Sequence, residues 1–512
     1  MTDLIAQQGE DRSNSNIFAL FEAAAAAHAD RPFMLIDGQP LLTYGEMLAE
    51  TAKAGAWLGS LNVAQGDRVL VQMHKSPAAV ILYLACLRTG AVFIPLNTAY
   101  QESELRYFLS DADPALLISS PELPAEKVVF DGARALVAGS LPEAPWHATQ
   151  GELATAILTP GDAAAILYTS GTTGRSKGAV LTHGNLSSNV QALNEAWRWQ
   201  DDDVLLHALP TFHAHGLFVA LHCAMLGASP ILFHDRFDAA AVLRDLPYAT
   251  VFMGVPTFYT RLLAEPSFDE ALCAGVRLFV SGSAPLLDAT FEEFERRTGH
   301  AILERYGMTE ALMVTSNPYD GPRIAGSVGR PLPGVMVRIA DGEGGLAACG
   351  EAGVLELKGP NLFAGYWRNP EKTAEDHTAD GYFISGDIAT EDDAGIIRIV
   401  GRAKDLIISG GYNIYPKEIE LAIDALDGVD ESAVIGVPHP DFGEGVVALV
   451  TAAPGALLDP AAITARLAQE LAAFKRPKHV FIIDVLPRNA MGKVQKAELR
   501  QAYKDVFACA TV

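Results

Sequence analysis

Cysteine is scarce in this sequence, and what there is does not pair. Cys86, Cys223, Cys273, Cys349 and Cys509 are odd in number and none stands in C-x-x-C spacing. That argues against a disulfide framework or a metal cluster and fits a reducing compartment. Long hydrophobic runs are missing too. The longest apolar stretch, Ala78 to Leu96, is broken by Arg88 and Gly90, so it reads as helix, turn and strand, not as a membrane span. Met1 to Asn16 is polar, carries Asp3, Glu10 and Asp11, and reads as a flexible terminus without the features of a secretory signal or an Arg-rich transit peptide. A cytoplasmic protein is therefore expected. Positive charge is also in short supply: 38 Lys and Arg face 62 Asp and Glu, for a net charge of −24. Nucleic acid is disfavoured as a partner. Any polyphosphate ligand would need cations gathered locally against this field. The tail gathers some: Lys475, Arg476, Lys478, Arg488, Lys493, Lys496, Arg500 and Lys504 outnumber Asp484, Glu498 and Asp505.

What is present is apolar residue, 49 % of 512, enough for two or more domains with a large core. Strand and helix patterns alternate. Thr43 and Glu46 have capping-box spacing, and Met47, Leu48, Ala54, Trp57, Leu58 and Leu61 then recur at helical intervals. GDRVLVQM reads as a strand, Pro77 to Leu87 as a helix and AVFIPL as a strand. This βαβ rhythm predicts parallel sheets covered by helices. After Ala325 the texture shifts to short strands between glycine-rich turns: VMVRIA, GVLELKG, YFISGDIAT and IIRIVG. The fold class is α/β. A large N-terminal domain over residues 17–401 carries a β-rich subdomain, and a small α+β domain over 402–512 follows a hinge.

One segment asks for chemistry. YTSGTTGRSKG, Tyr168 to Gly178, packs glycines, hydroxyls and a lysine between two apolar runs. Such clusters are usually surface loops, but glycines let backbone N–H groups turn inward, and concave nests of this kind bind phosphate oxygens. The P-loop pattern G-x-x-x-x-G-K-[ST] fails. Counted from Gly171, Ser176 stands at the second glycine and Gly178 follows Lys177. The loop reads as a phosphate cradle of another kind.

Eight further segments follow in order: ALPTFHAHG, GVPTFYTR, VSGSAPL, ERYGMTE, YFISGDIA, GRAKDLIISGGYNIYPKEIE, GVPHPDFGEG and PRNAMGKVQK. With the loop, this set resembles the adenylate-forming superfamily of acyl-CoA synthetases, peptide-synthetase adenylation domains and luciferases, most closely its malonyl-CoA synthetase group. The resemblance implies a two-step reaction. A carboxylate attacks the α-phosphate of ATP to give an acyl-adenylate and pyrophosphate, and coenzyme A's thiol then displaces AMP. The small domain rotates between the steps.

The resemblance also assigns residues. Thr169, Ser170, Gly171, Thr172, Thr173, Gly174 and Lys177 would hold the departing phosphates, with Ser176 in place of a frequent proline. Glu310 and the Thr169 hydroxyl would hold Mg2+. Ser283, Ala284 and Pro285 would border the adenine, and Tyr306 would stack on it, followed by Gly307, Met308 and Thr309. Asp387 would accept from the ribose hydroxyls and Arg402 would contact the ribose. Lys493 would stabilise charge between the carboxylate and the α-phosphate, because an ammonium on a long stem acts as a mobile point charge. Lys404 is the implied hinge. Ser409, Gly410 and Gly411 would face the incoming thiol. Lys475, Arg476 and Lys478 are candidates for coenzyme A phosphates.

The choice of acid turns on two arginines, Arg261 and Arg305. An unpaired guanidinium in a fatty-acid pocket would cost several kcal/mol, whereas a short diacid brings a second carboxylate that a guanidinium fork matches. In the malonyl-CoA synthetase group, arginines at these motif positions bind the distal carboxylate. His213 and His215 would share one face of a strand, which suggests zinc, but no third ligand has suitable spacing. His215 instead belongs beside the acyl pocket. The expected reaction is formation of malonyl-CoA from malonate, ATP and coenzyme A. Methylmalonate, another small dicarboxylate or a monocarboxylate remain open as substrates. A stand-alone adenylation enzyme loading a separate carrier protein also remains open, as does the choice between monomer and homodimer.

Overall fold

The computed structural model describes residues 14–128, 130–169, 176–342, 344–409, 412–489 and 492–508. Two large sheets form the N-terminal body. In the nine-stranded sheet, six strands run parallel, Pro32–Ile36, Ile231–Phe233, Leu205–His207, Val251–Gly254, Leu278–Ser281 and Leu303–Met308 in spatial order. Antiparallel strands close both edges. In the seven-stranded sheet, Ala163–Thr169 pairs parallel to Val92–Pro95 but antiparallel to Lys177–Thr182. The βαβ expectation thus holds for the sheet centres. Hairpins with short connections lie toward both edges of the nine-stranded sheet.

Between the sheets lies the helix Pro77–Thr89. Ser76 caps it, Pro77 sits at its first turn, and Gly90 ends it in the left-handed region at φ 75°. Almost every residue from Ala78 to Arg88 is buried, as expected of a helix apolar all round. Arg88, the charge that breaks the apolar run, is satisfied by the Leu153 carbonyl at 2.8 Å, the Leu48 carbonyl at 3.0 Å and Thr51 Oγ1 at 3.1 Å. Among the described residues no helix is long and apolar enough to cross a membrane. The flexible-terminus expectation needs correction at its end. Asn16 is fully buried, caps helix Ile17–Ala27 and donates to the Leu87 carbonyl at 2.8 Å, so its polar amide anchors the chain.

Beyond the body, four antiparallel strands, Met336–Ala340, Gly353–Lys358, Phe383–Glu391 and Ile397–Arg402, make the β-rich subdomain. A short 3₁₀ turn, Ala403–Asp405, leads into the C-terminal domain. There the long hairpin Val429–His439 with Gly443–Ala452 is sandwiched. Val434, Val446 and Val450 face helices Pro416–Asp424 and Pro460–Glu470, while Ala433, Ile435, Val447 and Leu449 face Leu499 and Phe507. Period-two alternation buries both faces.

Candidate active site

Several of the residues singled out above lie at or just beyond the C-terminal ends of strands in the two large sheets, the position where open α/β sheets bind ligands. Thr169 ends one strand, Gly254 precedes the helix carrying Thr257, and Ser281 leads to Ser283. The ERYGMTE segment is a tight hairpin joining Leu303–Met308 to Leu312–Ser316. Only glycine fits at 307, because an added Cβ would lie 2.1 Å from the Leu312 carbonyl oxygen. Side chains from elsewhere clamp the turn. Asn361 Nδ2 donates to the Ala311 carbonyl at 2.6 Å and Asn189 Nδ2 to that of Met313 at 2.8 Å. The Phe363 amide donates to the Glu310 carbonyl at 2.8 Å.

So held, the buried Glu310 carboxylate accepts from Tyr366 Oη at 3.1 Å and faces Thr169 Oγ1 at 3.5 Å. Burial pushes its pKa up, against the pull of Tyr366, Arg402 and Lys177. Lys177 lies with its Nζ 4.7 Å from the centre of the Tyr366 ring. Thr169, Lys177 and Glu310 are therefore brought together. Ser170, Gly171, Thr172, Thr173 and Gly174 lie outside the described residues, as do Gly410 and Gly411. Tyr366 was missed in the sequence because G-Y-W carries no motif that I-, T- or G-rich segments would advertise. Among the described residues no cluster of three His, Cys, Asp or Glu could hold a metal. A buried carboxylate beside a hydroxyl does fit Mg2+, a hard cation that takes few protein oxygens and keeps waters and phosphate oxygens.

Asp387 lies opposite Arg402 in the next strand and is 2 % exposed. Its Oδ1 pairs with Arg402 Nε at 2.9 Å, and its Oδ2 accepts from Tyr306 Oη at 2.5 Å. The nearby Ser283 holds φ 74°, a left-handed conformation uncommon for a non-glycine residue and frequent at ligand sites. Ala284 is half-buried and Pro285 exposed beside it. Glu304, absent from the sequence reading, is buried with Oε1 unpartnered. Burial raises its pKa to about 8, while the Gly326 and Leu286 amides pull it down. Met308 and Thr309 are half-buried at the mouth of the hairpin.

Lys493 arrives from the C-terminal domain. Its amide donates to Asn489 Oδ1 at 3.0 Å, and Gly492 turns at φ 74° against Thr257, where an added Cβ would touch that side chain at 3.4 Å. The ammonium keeps solvent contact inside the cleft. Burial first, then the charges of Arg402 and Arg305, bring its pKa down to about 8, while Asp387 and Glu310 oppose. Lys404 sits in the Ala403–Asp405 turn, next to the Arg500–Asp405 ion pair at 2.5 Å. Ser409 is buried at the end of its strand, paired with Gly443. Lys475 forms an ion pair with Glu418 at 2.6 Å within the small domain.

The two arginines part company. Arg305 is 4 % exposed, and its Nε and Nη2 have no hydrogen-bond partner. Burial lowers its pKa to about 9. Arg261, by contrast, is exposed. It lies in the last turn of helix Pro256–Leu263, whose buried residues are Tyr259 and Leu262, so position 261 points away from them. It stands one turn beyond Thr257, on the side that meets the Gly492 loop. His213 and His215 are not on a strand: the His213 ring accepts from the His215 amide at 3.2 Å, and His215 opens a π-helical stretch, His215–Leu221. His215 Nδ1 lies 3.2 Å from Ser283 Oγ, and its buried Nε2 is unpartnered. Burial and then Arg305 lower its pKa, so the ring is neutral.

The comparisons agree with this geometry. Residues 21–367 match the AMP-binding enzyme family, and residues 418–493 match the AMP-binding enzyme C-terminal domain. The crystal structure of ATP-bound MatB from Rhodopseudomonas palustris superposes with a TM-score of 0.91 at 47 % identity, covering 96 % of this chain and 100 % of that one. A feruloyl-CoA synthase of Amycolatopsis sp is 38 % identical over 91 % of this chain and 95 % of its own length. A malonate–CoA ligase of Arabidopsis thaliana is 35 % identical over 86 % of this chain and 79 % of its own. The chain belongs to the AMP-binding enzyme family and is an acyl-CoA ligase of the AMP-forming, acid–thiol type.

Proposed function

We propose, with that membership as the premise, that this ligase activates malonate or a closely similar short diacid with ATP and transfers it to coenzyme A. One observation carries the reading: Arg305 is buried with two nitrogens of its guanidinium unpartnered. Leaving such a group without a counter-charge costs several kcal/mol. A ligand carboxylate beyond the reacting one would match it with paired hydrogen bonds. The similarity to a malonate–CoA ligase supports the same choice.

Arg402 and Arg305 both lower the Lys493 pKa, so like charges crowd around that ammonium. That crowding is relieved when anions enter. In this reading the diacid's far carboxylate meets Arg305 and its near carboxylate meets Lys493, which also reaches the α-phosphate. Repulsion between the acid and ATP is cancelled by fixed groups, which is the main barrier in such a step. Thr169, Lys177 and Glu310 would border the leaving phosphates. Glu310 and Thr169 would hold Mg2+, which supplies charge neutralisation on the phosphates. Asp387 already pairs with Arg402 and accepts from Tyr306, so ribose hydroxyls would replace or share the Tyr306 contact. The free oxygen of Glu304 suits a donor such as the adenine amino group. Arg261, on the rim facing the Lys493 loop, is proposed as a second contact for the outer carboxylate.

The 38 % identity to a feruloyl-CoA synthase favours a rival, an aromatic monoacid. Such a tail would leave Arg305 uncompensated. A coupled AMP-release panel over C2–C10 mono- and diacids and ferulate decides between them. Malonate should exceed acetate, octanoate and ferulate in kcat/KM by ~100-fold or more, the discrimination a buried charge contact supplies. A preference for octanoate or ferulate would end the diacid assignment.

A further inference from the structure

Lys75 has no place in the chemistry above, yet it is tied to it. It follows strand Arg68–Gln72 and is half-buried. Its Nζ bonds to His207 Nδ1 at 2.7 Å and to the His207 carbonyl at 2.8 Å, with the Phe233 ring centre 4.6 Å away. Burial lowers the Lys75 pKa, but the Gly216 carbonyl beside Nε2 only accepts, so the ring proton of His207 sits on Nε2 and Nδ1 accepts from Lys75. Nε2 then donates to the Gly216 carbonyl at 2.8 Å. Burial and the Lys75 charge bring the His207 pKa down to about 3, so this tautomer persists across the working range. Position 216 admits only glycine, because an added Cβ would lie 2.1 Å from the Pro210 carbonyl oxygen. It directly follows His215, and both start the π-helical stretch, a wide turn that recurs at functional sites. At the end of this chain stands the His215 ring, tethered by Ser283 on one nitrogen and free on the other.

We propose that Lys75 and His207 are positioning residues for the acid. The Lys75–His207–Gly216 chain pins the first turn of the π-helix and aims His215 Nε2 at the carboxylate held by Arg305. With the Ser283 hydroxyl donating to Nδ1, Nε2 carries the proton and is a neutral donor. A neutral donor adds a hydrogen bond without adding a third like charge beside Arg305 and Lys493. The inference rests on the reading that an acid binds at Arg305.

The test uses the full-length protein and AMP-release kinetics with malonate and ATP varied separately. Lys75→Met should raise KM for malonate ~10-fold and leave KM for ATP within ~2-fold, the signature of a lost acid contact. Lys75→Arg should recover part of the loss. Combining Lys75→Met with His215→Ala should be no worse than His215→Ala alone, because residues acting through one another are non-additive. If Lys75→Met fails to fold, His207→Leu should give the same split. His207→Gln, whose amide can still reach Gly216, should stay within ~3-fold of wild type. Equal changes in both KM values, an unchanged malonate KM, or additive losses would overturn the inference. Arg305→Met and wild type run in parallel. If wild type prefers another acid, the malonate reading fails by itself, and the same variants scored on that acid still decide the role of Lys75.

Discussion

The guanidinium of Arg305 packs against Gly282, so close that a Cβ built on the glycine would stand 2.4 Å from Cζ. Gly282 directly follows strand Leu278–Ser281, Arg305 lies in the neighbouring parallel strand Leu303–Met308, and the missing side chain makes room for the buried charge. Gly282→Ala should therefore displace the guanidinium and raise KM for malonate ~10-fold or more, while KM for ATP barely moves, since one misplaced contact costs only the ligand that uses it. Unchanged malonate kinetics in Gly282→Ala would remove Arg305 from the acid site.

Arg305→Met offers a stability test of the same residue. Methionine keeps much of the volume and drops an uncompensated charge. The unliganded variant should melt ~2 °C or more above wild type, because replacing a buried unpaired ion is stabilising. Its malonate turnover should fall by ~100-fold or more. Differential scanning calorimetry with and without malonate checks both halves: malonate should raise the melting temperature of wild type and not of the variant. A variant that melts lower than wild type without ligand would show that the guanidinium is satisfied in solution.

In the proposed reaction Lys493 works as an ammonium, and its pKa is brought down to about 8 in the free protein. The protonated fraction is full below that pH and drains away above it. The rate of adenylate formation, as kcat/KM, should fall ~10-fold per pH unit above the pKa. Lys493→Arg, slower at every pH, should lose this descending limb because arginine does not titrate in range. A limb that persists in Lys493→Arg belongs to another group.

Glu304 couples pH to stability. Its carboxyl ordinarily titrates at 4.5 and is raised to about 8 by burial. Below 4.5 both the folded and unfolded chains carry the proton, and the fold suffers no penalty. Between 4.5 and 8 the unfolded chain sheds it while the folded one keeps it, so stability is lost progressively as pH rises. Glu304→Gln has no such proton to lose. Its melting temperature relative to wild type should climb from pH 5 to pH 8 and then level off. A difference that stays constant with pH would place the Glu304 pKa in the ordinary carboxylate range.

Local features were legible from the chain alone. The Thr43–Glu46 capping box, Pro77 at a helix start, Gly90 at its end and the alternation of the C-terminal hairpin all follow from neighbours a few residues apart. The ordered motifs, by resemblance, also pointed to the family and to Lys493, Glu310 and Asp387. The sequence by itself therefore determined the class of fold and of reaction, because both depend on short-range chemistry and on residue type. Tertiary structure decided which of two arginines is buried, that H-A-H opens a π-helix, and that Tyr366 backs Glu310 across 56 positions. It also decided that Lys75 meets His207 across 132. Those outcomes depend on which distant side chains exclude water from a charge. Periodicity along the chain carries no record of that, since the free energy of a buried ion is set by partners brought close only when the sheets assemble.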